Sequence, residues 1–147
     1  MAQLVSLAVR TLHVLSITVV VGGTVALWYG YRRGATTAVD AARQYEWLFW
    51  GGLGVITVTG VGNLGALGPP GPGTDWGRLL LVKLLVVVAL VVGSAVRTLV
   101  VVRAESDRTA DERVAAPEFR VTLERAYGVT AGTLLVLVVL AEVLAHG

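Results

Sequence analysis

The run Trp76-Gly77-Arg78-Leu79-Leu80-Leu81-Val82-Lys83-Leu84-Leu85-Val86-Val87-Val88-Ala89-Leu90-Val91-Val92-Gly93-Ser94-Ala95-Val96-Arg97-Thr98-Leu99-Val100-Val101-Val102 decides the fold class. A helix needs roughly 20 mostly apolar residues to cross the hydrocarbon core of a bilayer. This run exceeds that length and carries charge only at Arg78, Lys83 and Arg97. Just before it, Gly68-Pro69-Pro70-Gly71-Pro72-Gly73 cannot continue a helix. Beyond it lies the longest polar stretch, residues 103–125.

Working outward, three further segments have the same character: residues 4–29, residues 47–67 behind the aromatic group Trp47, Phe49 and Trp50, and residues 126–145. Together with 76–102 they use up most of the 147 residues, so the chain is expected to be one domain. Only 15% of it is charged, against roughly a quarter in a soluble domain. The fold expected is all-α: an integral membrane four-helix bundle in the cell membrane, its main partner the lipid bilayer. The first segment reads as a retained helix rather than a cleavable signal, because Met1 to Val9 carries no positive charge and the apolar run is long.

Arginine placement sets the expected orientation. Arg32, Arg33 and Arg43 follow the first segment, and Arg103, Arg108, Arg113, Arg120 and Arg125 follow the third. The opposite side has Arg78, with Arg10 inside the first segment. Positive residues favour the cytoplasmic side, so both termini and the Pro/Gly loop are expected outside. The net charge of +2 is then arginine holding topology, and no nucleic-acid partner is expected. With no cysteine, disulfides, thiolate metal sites and cysteine nucleophiles are excluded.

Ionisable side chains within a span cost roughly 2.5–3.5 kcal/mol each on insertion scales, so each needs a reason. The candidates are Arg10, His13, Lys83, Arg97 and Glu142. Lys83 is the only lysine among the 12 basic residues, and its ammonium, unlike a guanidinium, can lose its proton. It lies roughly 10 Å into its span, and snorkelling to the interface is the plainer alternative. His13, one of two histidines, lies at a similar depth, roughly 13 Å. Ser6, Arg10, His13, Ser16 and Gly23 share one helical face, as do Lys83, Ser94 and Arg97. Two polar stripes at matching depth point to one internal polar site, in which His13 would be a ligand or handle protons. A histidine merely bonded to a neighbouring helix is the bland alternative. Glu142 and His146, one turn apart, could hold a metal between them or simply be solvated, and Glu142 could pair with Arg10. Arg97 reads as snorkelling and is assigned no chemistry. Most glycines in the first two spans are expected to permit close helix approach. No phosphate loop, dinucleotide fingerprint, HExxH or nucleophile elbow is present, so whether the chain is an enzyme stays open.

Leu12-His13, Gly22-Gly23 and Arg32, followed by Thr59-Gly60, the stretch Thr74-Asp75-Trp76-Gly77-Arg78-Leu79-Leu80-Leu81-Val82-Lys83, and Arg97, resemble the CopD family of copper-resistance membrane proteins over about residues 10–144. That resemblance implies copper handling, by transport or resistance. A weaker resemblance, through Leu12-His13 and Lys83, is to the HemJ-type protoporphyrinogen oxidases, and it implies that His13 and Lys83 hold haem b. Val21, where that group has tryptophan, and the missing Tyr-His pair in the third span depart from it. Copper, haem b or a cofactor-free structural role therefore stand as the three readings. The first two imply a copper-delivery or redox partner. With Met1 the only methionine and no cysteine, any copper site suits Cu(II) better than Cu(I).

Overall fold

The computed structural model describes residues 2–35, 39–67, 71, 73–106 and 117–146. It is all-helical there: α1 (Ala2–Arg33), α2 (Val39–Leu67), α3 (Asp75–Ser106) and α4 (Pro117–His146). Local signals set the visible ends. Gly34, at φ +69°, ends α1; its N–H and that of Ala35 donate to the Tyr31 and Gly30 carbonyls. Thr74 caps α3 by accepting the Gly77 N–H at 3.0 Å. Pro117 opens α4, where its missing N–H and fixed φ cost nothing.

Helices α1, α3 and α4 are long and apolar enough to cross a membrane. Their apolar side chains mostly face outward: Leu4, Val14, Leu85, Val92, Val129 and Val139 are all at least half exposed. In water so continuous an apolar surface would drive association, whereas lipid tails solvate it. Helix α2 falls short of the same test among its described residues. It begins with Asp40, Arg43 and Glu46, and the side chains of residues 62–67 lie outside the described set.

Helix α1 packs on α2 and α4, and α3 packs on the same two; among the described residues no backbone contact joins α1 to α3 or α2 to α4. Consecutive helices run antiparallel, as the pairs His13–Thr59, Arg43–Glu105 and Trp76–Leu144 require.

The elements outrun the expected spans at the arginine-rich end. Residues 39–46, read as a polar link, are helix, and so is 117–125. The reason is a helical stripe: Val39, Ala42, Tyr45, Phe49 and Leu53 recur every three or four residues and are all buried. They pack with Tyr31, Val101, Leu123 and Tyr127 into the main core. Tyr31 stacks on Tyr127 with centroids 6.0 Å apart. The core therefore sits at the arginine-rich end. Toward the Pro/Gly end, described residues of α1 before Val20 are all at least partly exposed, and Gly77 is the one buried residue of α3 before Leu90.

Three glycines do give close approach. A Cβ at Gly23 would overlap the Tyr45 ring, one at Gly52 would lie 2.5 Å from Val20 Cγ2, and one at Gly128 would lie 2.9 Å from Trp28 Nε1. Gly22, Gly51 and Gly54 face open space.

Candidate functional site

Polar side chains gather at two levels. On α2 the levels are marked by Glu46 and Thr59 and on α3 by Arg97 and Lys83, a separation of about 20 Å along either axis.

At the arginine-rich level, Glu46 and Arg97 form a buried ion pair, their side chains 3% and 1% exposed. Arg97 Nε donates to Glu46 Oε1 at 2.8 Å and Nη2 donates to Oε2 at 3.2 Å, the two-pronged geometry that suits a guanidinium. The carboxylate also accepts from the Tyr127 hydroxyl at 2.9 Å and from Thr98. Four donors fill the roughly four acceptor positions a carboxylate has. Arg97 Nη1 donates to Thr130 at 2.8 Å, and Trp50 Nε1 donates to Thr98 at 3.0 Å. The guanidinium lies 4.4 Å from the Phe49 centroid and 4.7 Å from that of Tyr127. One group of contacts thus ties α2, α3 and α4 together, and α1 joins through Tyr31. Beside it, the Tyr45 hydroxyl donates to the Val20 carbonyl and lies 2.6 Å from the Thr24 hydroxyl, joining α2 to α1. The Ser94 hydroxyl, one turn from Arg97 and buried, has no hydrogen-bond partner. The saturated carboxylate leaves no position for a ligand. Its physical role is cohesion.

That finding corrects the expectation for Arg97, which is buried and paired rather than reaching for the interface. Glu46, within the presumed polar link, was not a candidate at all. The signal that could have found it is the Val39–Ala42–Tyr45–Phe49 stripe, which places Glu46 on a buried face.

The second level holds His13 on α1, Thr59 on α2 and Lys83 on α3. His13 Nδ1 lies 2.6 Å from Thr59 Oγ1. The Thr59 hydroxyl has one proton, directed at the Val55 carbonyl 2.6 Å away, with the Ile56 carbonyl at 3.2 Å. With that proton on Val55, Thr59 accepts from Nδ1–H and Nε2 keeps its lone pair; with it turned to the imidazole, Nδ1 accepts and Nε2 carries the ring proton. A ligating histidine is commonly oriented in this way, by a partner on its other nitrogen. Thr59 is buried, while His13 and Lys83 are half-buried. His13 and Thr59 thus meet across α1 and α2, and counting along α3 sets Lys83 at about the same depth.

Other candidates fall outside it. The α1 polar stripe turns inward only from His13 on, with Ser6 and Arg10 exposed. Glu142 is exposed near the end of α4, and the side chain of His146 lies outside the described residues. Among the described residues no group of three or more His, Asp or Glu side chains is placed to hold a metal ion.

Three helices long and apolar enough to cross a bilayer, joined by a buried ion pair, define a helical membrane protein. The chain belongs to the CopD family: the family model for copper resistance protein D matches residues 39–141. The match takes in Glu46, Thr59, Lys83, Arg97, Tyr127 and Thr130. It is narrower than the resemblance drawn from the sequence, leaving α1, and His13 with it, outside. No curated protein and no solved structure matches the chain.

Proposed function

We propose that this protein handles copper as cargo within the cell membrane, receiving Cu(II) at His13 on the extracytoplasmic side. The reading takes α2 as a fourth span and the four helices as a membrane bundle with both termini outside, on the strength of the arginine bias. The observation that carries it is the His13 imidazole held at Nδ1 by Thr59; in the Nδ1–H tautomer that bond leaves the Nε2 lone pair for a ligand. Membership of a copper-resistance family supplies the metal.

A cargo site must hold its ion firmly enough to load and loosely enough to release it. One imidazole nitrogen with Lys83 nearby meets that condition better than a closed chelate would. As an ammonium, Lys83 repels a cation; as a neutral amine it is a second nitrogen donor. Binding is therefore coupled to proton release, and acid favours unloading. At the cytoplasmic end the Glu46–Arg97 group closes the bundle and must part if copper is to pass through.

A second reading rests on the same imidazole: His13 as axial ligand of haem b, with Lys83 as second ligand or propionate partner, both facing the bundle interior where such groups are built. One experiment separates the two. Metal content by mass spectrometry and an oxidised-minus-reduced absorption spectrum are taken on the same purified sample, for wild type and His13→Ala. Colourless protein that retains copper, lost on substitution, supports cargo handling. A Soret band that shifts on reduction and disappears in His13→Ala replaces it with the haem reading. Neither metal, after exposure to both, leaves a structural subunit.

A further inference from the structure

Between α3 and α4 a groove of about 360 Å³ opens on the lipid-facing side. It runs from Ala89 and Thr133 at one end to Val100 and Thr122 at the other. Along either helix that is about 17 Å. The hydrocarbon core is about 30 Å thick, so the groove is one leaflet long. Gly93 keeps it open midway, since a Cβ there would meet nothing within 4 Å. Arg125 lines the end toward the arginine-rich surface. It is exposed and, among the described residues, has no ion-pair partner, whereas Arg43 is paired with Glu105.

An apolar channel of one leaflet's length with an uncommitted guanidinium at its headgroup end has the layout of a phospholipid. We propose that the groove seats an acyl chain of one anionic phospholipid of the cytoplasmic leaflet, its phosphate paired with Arg125. A zwitterionic lipid fits the channel equally well but offers the arginine a phosphate already balanced by its own cation, so headgroup charge gives the selectivity. The lipid would cover the α3–α4 seam beside Arg97 and Thr130, sealing the ion-pair layer from the bilayer. The proposal rests on the membrane reading alone and is independent of copper.

Native mass spectrometry of the detergent-released full chain tests it, with phosphatidylglycerol and phosphatidylcholine titrated separately. The expected result is one phosphatidylglycerol per chain, bound about fivefold tighter than phosphatidylcholine, the value of one arginine near an anionic surface. Arg125→Ala should abolish that preference, Arg33→Ala, outside the groove, should keep it, and Gly93→Leu should weaken both lipids by filling the channel. Equal binding of the two lipids overturns the proposal, as does equal loss in Arg33→Ala and Arg125→Ala, which would mark a diffuse charge effect. A dimer in wild type that Gly93→Leu converts to monomer also overturns it, placing a second copy of the chain in the groove. Should Gly93→Leu fail to fold, headgroup preference and the two arginine variants decide the matter.

Discussion

The two polar levels contain similar chemistry and differ in how far it is satisfied. Around Glu46 and Arg97 the carboxylate accepts four hydrogen bonds, both side chains are almost wholly buried, and aromatic rings close over the guanidinium. Around His13 the ring bonds to Thr59, Lys83 makes no side-chain hydrogen bond or ion pair among the described residues, and both side chains are half-buried. Satisfaction gives rigidity, and its absence gives reactivity. The Glu46–Arg97 level should govern whether the helices stay together, and on the proposed function the His13 level should govern what the protein binds.

The strongest way to break this contrast is to remove one member of the buried pair. Arg97→Met leaves Glu46 buried and uncompensated and should cost about 3–5 kcal/mol, read as a large fall in melting temperature in detergent. The double variant Glu46→Leu/Arg97→Met should recover much of the loss, because no charge is then stranded. A double variant no more stable than the single would show that packing, rather than charge, is what matters there. Next in size is Gly23→Ala, whose new methyl must displace the Tyr45 ring; an overpacked core of this kind loses about 1–3 kcal/mol. Gly22→Ala on the adjoining face meets open space and should melt like wild type.

The His13 level should respond in the opposite sense. Thr59→Val removes the hydroxyl bonded to His13 Nδ1, and orienting partners of this kind are worth roughly 10–100-fold in metal affinity. Copper titration should show that loss with the melting temperature little changed. A fall in stability with affinity intact would make Thr59 a packing residue only. The smallest effect is expected at Ser94→Ala, which deletes a buried hydroxyl that has no partner and should be neutral or slightly stabilising.

The sequence made the helices legible because a long apolar run and a Pro/Gly break leave little choice of structure. It also set His13 and Lys83 at one depth, since depth along a helix is simple counting and both residues are out of place in a span. The buried pair escaped for two physical reasons. Hydropathy assigns Glu46 to a link, although the helix begins earlier, driven by Val39, Ala42, Tyr45 and Phe49 packing inward. Arg97 lies 51 residues away, and its meeting with Glu46 depends on the register of α2 against α3, which neither helix encodes alone. Thr59 was hidden differently: a threonine in a span is unremarkable until a histidine from another helix arrives beside it.

The central claim is that copper meets the chain at the His13 imidazole while the Glu46–Arg97 level only holds the helices. Electron paramagnetic resonance of Cu(II) added to the protein in nanodiscs tests it most directly. Wild type and the milder variant Glu46→Gln should both show nitrogen hyperfine structure from a bound imidazole, and His13→Ala should lose it. A copper signal unchanged in His13→Ala, or lost in a folded Glu46→Gln, would contradict the account.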